Sequence, residues 1–362
     1  MQPVTFAYES ERRLRVAFLG TSGHAFRNFL PNLPYLGIEL VALWDTDAGR
    51  AAAFARQFGA ARAYTDIDQL LAEAAPEAVM IGVEGFDDDE PRNVALMARA
   101  LEAGCHAWTD KPLASSVGTA RRLITLRDRA GKVAGVGIKT MFYPAHVKMR
   151  EIITDPAFGR PGSFTTRYPL HLPTKAGLAA SDPSIRSCLG HLWHPFGTAL
   201  LLLGPLATLS VESAPNGGGG VATAHFRNGA VGMFHFSAGQ SAMSPLERTE
   251  VIGEGANVVV ENAMHLTYYR KTSIGPYGKT PSYMVGEQTA PLVWEPEMSL
   301  GQLYNSNNFI QGYAPSMRAF VEAALGGVPL RQGTLEDAVE ILKVYEVLCN
   351  GRRGAVTLPE HN

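Results

Sequence analysis

Gly20-Thr21-Ser22-Gly23-His24-Ala25 follows an apolar run, Leu14 to Leu19. Small residues in such a place allow a tight turn and let the backbone approach a pyrophosphate. They also let a helix start close enough for its first N–H groups to meet the phosphates. The dinucleotide fingerprint is GxGxxG or GxGxxA. Ser22 stands at its middle glycine, and Gly23 beside it keeps the turn small. A glycine pair in a turn is also common for structural reasons alone, and it is the position between strand and helix that favours the dinucleotide. Asp45, about 20 residues beyond Ala25, ends the second apolar run. A carboxylate there accepts hydrogen bonds from the adenosine ribose and repels a 2′-phosphate, so NAD is expected rather than NADP. The alternative is a helix cap, which Thr46 or Asp47 could supply instead.

Two further stretches carry reactive side chains. Thr109-Asp110-Lys111-Pro112 follows the run from His106. At the carboxyl end of a parallel strand, Lys111 can bond a substrate hydroxyl and stabilise developing alkoxide charge. Pro112 holds the backbone extended before the next helix. A surface lysine in a turn is the alternative. In Gly190-His191-Leu192-Trp193-His194-Pro195, His191 and His194 share a face if they lie on one helix. A histidine beside a carbinol can take the hydroxyl proton as hydride leaves. Buried structural histidines or metal ligands are the other readings. No neighbouring Asp, Glu or Cys completes a metal set, so no metal is expected. Pro195 suits a helix that starts near His194, which works against the shared face.

The elements that must position these residues alternate over the first third of the chain. Strands are predicted at Leu14–Leu19, Glu39–Trp44, Ala78–Ile81, His106–Thr109 and Val133–Val136. Helices are predicted at Ala48–Phe58, Ile67–Glu73, Arg92–Ala103 and Ser116–Ala130. Such alternation implies βαβ units and a parallel sheet. After about Arg150 strands dominate: Ser163–Pro169, Thr249–Ile252, Asn257–Glu261 and Leu266–Arg270. Val221–Phe226 and Ala230–Phe236 flank Asn228-Gly229, which predicts a hairpin with a two-residue type I′ turn. Gly217–Gly220 reads as a loop entering a strand. Pro315 fits the first turn of a helix ending at Gly326-Gly327. Thr334 caps a last helix with Ala338, Ile341, Leu342, Tyr345 and Leu348 on its apolar face. The expected architecture is α/β plus α+β. Residues 1–138 form a Rossmann parallel sheet. Residues 139–362 form an open, mostly antiparallel sheet domain whose terminal helices can pack back on the first.

With 362 residues, the chain is too long for one core. It is 46% hydrophobic and 18% charged, the balance of a globular enzyme rather than a disordered chain. A net charge of −2 without a dense basic stretch argues against nucleic acid. Met1 to Arg13 is polar, unlike a signal peptide, and the longest apolar run, Ala199–Leu203, is too short to span a membrane. Cys105, Cys188 and Cys349 are widely spaced, as expected of reduced thiols in a cytoplasm.

Together these residues resemble the Gfo/Idh/MocA family, that of glucose–fructose oxidoreductase, inositol dehydrogenase and the rhizopine-catabolism oxidoreductases. The resemblance runs from Leu14 to Leu358. It rests on Gly20–Ala25, Leu40–Asp47, Phe142-Tyr143-Pro144, Phe158-Gly159-Arg160-Pro161, His194–Gly204 and Phe226–Gly229. Its most specific part is Leu101-Glu102-Ala103-Gly104 leading into Asp110-Lys111-Pro112, where the family has Glu-Lys-Pro. The resemblance implies a homodimer or homotetramer, paired through the second sheet. It also implies transfer of hydride between NAD, or less readily NADP, and a hydroxyl or carbonyl of a sugar, inositol or related small molecule.

By the same resemblance Lys111 and His194 are the catalytic residues. Gly20, Ser22, Gly23, His24, Ala25, Asp45, Glu84 and Lys111 hold cofactor, and Lys139, Tyr143, His191 and Thr198 face substrate. The chain departs from the family where Gly190 and Gly197 replace aspartates. It also departs in the loop Gly82–Phe86, whose acidic continuation Asp87–Glu90 reads as a solvated helix start. Two other readings stay open. One is transient oxidation that drives elimination or glycoside cleavage, and the other is a non-catalytic nucleotide- or ligand-binding relative.

Overall fold

The computed structural model describes residues 12–173, 181–215, 218–241, 246–271, 290–295, 306–349 and 354–360. In chain order the first elements are β1 (Leu14–Leu19), α1 (Gly23–Asn28), β2 (Ile38–Trp44), α2 (Ala48–Phe58), β3 (Arg62–Tyr64), α3 (Ile67–Ala74) and β4 (Ala78–Ile81). They continue with β5 (Phe86–Asp87), β6 (Glu90–Pro91), α4 (Asn93–Glu102), β7 (His106–Asp110), α5 (Val117–Ala130) and β8 (Ala134–Gly137). Next come α6 (Pro144–Thr154), β9 (Ser163–Tyr168), α7 (Pro183–His191), α8 (Trp193–Leu203), β10 (Leu206–Ser213), β11 (Gly220–Phe226), β12 (Val231–Phe236), β13 (Arg248–Ile252), β14 (Asn257–Glu261), β15 (His265–Tyr269) and β16 (Leu292–Trp294). The chain ends with α9 (Ser306–Ile310), α10 (Tyr313–Ala324), α11 (Leu335–Cys349) and β17 (Val356–Thr357). It divides into one unit of Met1–Lys139 with Tyr304–Leu342, and another of Thr140–Leu303 with Lys343–Asn362.

The first unit holds a parallel sheet in the order β3-β2-β1-β4-β7-β8. All of β4 is buried, as expected of strands covered on both faces. Strand order reverses direction at β1, so the crevice for a ligand opens beside the β1–α1 turn. The core under this turn joins Val16, Phe18, Met80 and Trp108 to Met317 and Phe320 of α10. The last helix is capped reciprocally: Asp337 N–H donates to Thr334 Oγ1, and Thr334 N–H to the Asp337 carboxylate, both at 3.0 Å. Arg127 of α5 grips Glu336 with two hydrogen bonds of 2.9 and 2.7 Å.

The acidic run does not start a helix. Asp87 and Glu90 pair across a tight two-stranded turn, and α4 begins only at Asn93. Asp88 takes φ +53, a conformation an aspartate tolerates. Asp87 pairs with Arg92, while Glu90 accepts from Ser115 N–H and the Thr119 hydroxyl. These partners hold the run as a hairpin where charge alone suggested a helix end.

The second unit is a nine-stranded sheet in the order β16-β15-β14-β13-β9-β12-β11-β10-β17, antiparallel except for β12 with β9. One face is covered by α8, whose Phe196 ring lies tilted against that of Phe234, with centroids 4.5 Å apart. The other face leaves Val221, Val231, Met233 and Ile252 exposed. The β11–β12 hairpin forms as expected, but its turn is not type I′. Only Gly229 has positive φ, at +92, and its N–H donates to Phe226 O. Asn228 instead uses its side chain, which accepts from Ala230 N–H at 2.9 Å, so the turn has three residues with glycine last. Gly220 opens β11, while Gly217 and residues 1–11 lie outside the described residues.

Candidate functional site

In the first unit, the fingerprint turn is closed by glycine for a steric reason. Gly20 has φ +106, and a Cβ there would lie 2.8 Å from Gly82 O and 2.9 Å from Val83 Cγ2. Ser22, at the middle glycine of the fingerprint, donates to Gly82 O at 3.0 Å and accepts from Ala25 N–H at 3.1 Å. It therefore ties β4 to the turn while capping α1. A Cβ on Gly23 would meet nothing within 4 Å, so open space lies outside the turn. Helix α1 has only six residues, too few to give its N-terminus much dipole.

A cavity of about 820 Å³ opens there, lined by Gly20–Gly23, Asp45, Arg50, Glu84, Arg92 and Arg99 among others. Asp45 is 7% exposed. Its Oδ2 accepts from Thr21 N–H at 3.0 Å, from the Thr21 hydroxyl and from Arg50 Nη2 at 3.2 Å. Its Oδ1 accepts from Asp47 N–H at 3.0 Å. Burial alone would raise its pKa, but the Thr21 hydroxyl, the Asp47 N–H and the Arg50 charge outweigh it and hold the carboxyl below its usual range. The cap of α2 comes from Asp47, which accepts from Arg50 N–H at 2.9 Å. That frees Asp45 from the capping role.

A second cavity of about 170 Å³ shares Ser22, Val83 and Glu84 with the first, and adds His24, Asp110 and Lys111. The turn after β7 is fixed by Asn93, whose buried amide donates to Asp110 O at 3.2 Å and Pro112 O at 3.3 Å. The Lys111–Pro112 peptide is cis. Lys111 and His24 are half-buried, and His24 Nε2 lies 3.3 Å from Asp110 Oδ2. Lys139 Nζ sits 4.9 Å above the Tyr313 ring and 3.4 Å from Gln311 Oε1. Of the cofactor residues named from the sequence, Gly20, Ser22, Gly23, His24, Asp45, Glu84 and Lys111 line these two cavities, while Ala25 is buried beneath the turn. Three residues escaped sequence reasoning: Thr21 and Arg50 as partners of Asp45, and Asn93 as the clamp on the Lys111 turn. Nothing in their spacing marks them, since the contacts join positions from different elements.

A dinucleotide fits these residues. A turn only glycine can close, open space outside it, a buried ionised carboxylate and cationic arginines on a continuous cavity match a diphosphate flanked by riboses.

In the second unit, α7 ends at His191 and α8 begins at Trp193. The two histidines therefore straddle a helix junction instead of sharing one face, and their ring centroids are 6.5 Å apart. His191 is exposed and its Nδ1 donates to Ser187 O at 2.8 Å. His194 is 6% exposed, with its ring 5.3 Å from that of Tyr168. Nothing would lie within 4 Å of a Cβ on Gly190. The absent carboxylate is therefore not excluded by crowding. Thr198 is buried and donates to His194 O at 3.0 Å, and Thr140 donates to the same oxygen at 3.1 Å. Tyr143 is buried against His146, at 5.0 Å. His146 Nδ1 donates to Thr140 O at 2.9 Å, and burial pushes this imidazole down to about 4. Thr198, which lines a small cavity together with His194, and Tyr143 both also contact His146.

Residues 14–138 match the family model GFO_IDH_MocA, described as an oxidoreductase family with an NAD-binding Rossmann fold. An oxidoreductase of Rhizobium meliloti, ORF334, described as uncharacterized, is 33% identical over 147 residues. The match covers 40% of this chain and 42% of that protein. Inositol 2-dehydrogenase of Rubrobacter xylanophilus is 31% identical over 157 residues, 42% of this chain and 43% of the enzyme. The match therefore spans less than half the length of either relative. The structure of GenD2 from gentamicin A biosynthesis in complex with NAD superposes with a TM-score of 0.71 at 21% identity, covering 99% of this chain and 100% of that one. This likeness extends the shared fold to both units. No helix among the described residues is long and apolar enough to cross a membrane.

Proposed function

We propose, from the premise that residues 14–138 form the NAD-binding Rossmann domain of a Gfo/Idh/MocA oxidoreductase, that the protein oxidises a CH–OH group, or reduces the corresponding carbonyl, of a sugar, inositol or related small molecule. The observation that carries this reading is the pair of cavities that share Ser22, Val83 and Glu84, one lined by Asp45 and Gly20–Gly23 and the other by His24 and Lys111. A pyridine dinucleotide, when bound, supplies or accepts the hydride.

Asp45 accepts hydrogen bonds from the adenosine ribose, and its charge disfavours a 2′-phosphate. Gly20, Ser22, Gly23, His24 and Ala25 seat the diphosphate, and Glu84 lines the passage between the two cavities. Lys111 stabilises negative charge growing on the substrate oxygen. His194 takes the hydroxyl proton during oxidation and returns it during reduction, with no carboxylate from its own segment because position 190 is glycine. Lys139, Tyr143, His191 and Thr198 are the substrate-facing candidates.

The test is a screen of sugars, inositols and sugar acids with NAD and NADP, following the absorbance of reduced nicotinamide. Growth of that absorbance with a polyol supports the reading. Binding of cofactor with no redox change on any polyol or its carbonyl form refutes the dehydrogenase assignment.

A further inference from the structure

His24 and Asp110 form a contact that the fingerprint alone does not require. His24 Nε2 lies 3.3 Å from Asp110 Oδ2. Neither Nε2 nor Asp110 Oδ1 reaches solvent, and among the described residues neither has a hydrogen-bond partner. The other ring nitrogen, Nδ1, is 3.0 Å from Asn28 Nδ2. An amide NH₂ donating there makes Nδ1 an acceptor, so the neutral ring carries its proton on Nε2, facing the carboxylate. Phe29 and Tyr313 hold the imidazole edge-on, with centroids at 5.0 and 5.8 Å. On the far side, a Cβ on Gly137 would lie 3.0 Å from Asp110 Oδ1 and 2.8 Å from Trp108. Position 137 thus leaves the carboxylate its room. The imidazole and the carboxylate are both held in place, and their joint charge is −1 or 0 according to one proton.

The place of this couple gives that charge a consequence. Asp45 lies on the β2 side of β1, whereas Asp110 and Lys111 lie on the β4–β7 side. With the adenosine ribose at Asp45, the nicotinamide half falls on the side of Asp110. The oxidised nicotinamide ring is cationic and the reduced ring is neutral. We propose that the His24–Asp110 couple makes the choice between oxidised and reduced dinucleotide depend on pH, an inference that rests on the dinucleotide lying along Gly20–Ala25. When His24 is neutral, the couple offers a net negative charge to the oxidised ring. When His24 is protonated the couple is neutral, and the advantage of the oxidised form falls. Other charged or titratable groups face this region: Lys111 and Glu84 on the same cavity, Arg27 on α1, Tyr313 on α10, and Lys139 over the Tyr313 ring. Burial pushes the Tyr313 phenol up, and the Asp110 charge pushes it further.

The experiment is calorimetric titration of the whole chain with NAD⁺ and with NADH from about pH 5.5 to 8.5, in two buffers of different ionisation enthalpy. As pH falls, the affinity for NAD⁺ should weaken relative to NADH. The change expected across this range is on the order of tenfold. NAD⁺ binding should release a proton near the middle of this range, and NADH binding should not. His24→Gln and His24→Asn should flatten the ratio. A wild-type ratio that does not vary with pH, or a pH dependence surviving in both variants, overturns the proposal while leaving dinucleotide binding intact. Binding of neither cofactor at any pH overturns the underlying reading, and the proposal with it. If the variants do not fold, wild-type proton release decides alone, and its absence is again a refutation.

Discussion

Replacing Asp45 with Ser should erase most of the preference for NAD over NADP. The carboxylate is buried and held ionised by Thr21, Asp47 and Arg50, so a 2′-phosphate placed against it meets a fixed negative charge. Two like charges about 5 Å apart in an effective dielectric between 20 and 80 repel by roughly 1–3 kcal/mol, about 5- to 150-fold in relative affinity. Arg50 reduces this, because its guanidinium lies 3.2 Å from the same oxygen and could turn to a phosphate. Its side chain is about half exposed, which screens its contribution. The wild-type preference should therefore sit toward the lower end of that range. Asp45→Ser should bring the ratio of dissociation constants close to one, and Arg50→Ala should widen it. Calorimetric titration of both cofactors against the three proteins measures this. Equal affinities in the wild type, or a preference unmoved by Asp45→Ser, would refute the reasoning.

His194→Ala should lower turnover by about 100- to 10,000-fold with NAD affinity nearly unchanged, and exposed His191→Ala should cost less; the reverse order in steady-state kinetics means that the acid–base group is His191. His146 is buried neutral with its pKa near 4 instead of 6.5, so the unfolded chain binds more protons between these values. Stability from this group is complete above about pH 6.5 and is lost progressively as pH falls toward 4, a change of roughly 3 kcal/mol. Denaturant unfolding across that range checks it, and His146→Leu should flatten the profile. The exposed apolar residues of the second sheet, Val221, Val231, Met233 and Ile252, should be covered in a homodimer or homotetramer. Light scattering at micromolar concentration should give a multiple of the chain mass, and Met233→Glu with Val231→Lys should shift it toward the monomer.

Much of the fold is legible because buried parallel strands read as unbroken apolar runs. Leu14–Leu19 and Ala78–Ile81 have the bounds expected of them, as does the amphipathic helix Ala48–Phe58. The short strand Arg62–Tyr64 is not legible, since two of its three residues are exposed and carry no pattern. The Asp87–Glu90 hairpin was hidden for another reason. Its conformation is set by Arg92, Ser115 and Thr119, which charge patterning within the run cannot reveal. The same holds at the candidate site. Gly20 and Asp45 announce themselves by position after a strand, whereas the bonds from Arg50 and Asn93 and the His24–Asp110 contact depend on side-chain direction across elements. The histidine pair shows the limit of spacing: three residues apart suggests one helix face, but Pro195 already argued for the helix start observed at Trp193.

The central claim is that Lys111, at the end of β7, acts on the substrate oxygen beside the hydride-bearing end of a dinucleotide seated on Gly20–Ala25. The most direct test compares wild type and Lys111→Ala at saturating NAD on whichever polyol reduces it, with cofactor affinity measured in parallel. The account predicts that NADH formation falls by at least about 100-fold while NAD still binds. Undiminished NADH formation by Lys111→Ala would contradict it.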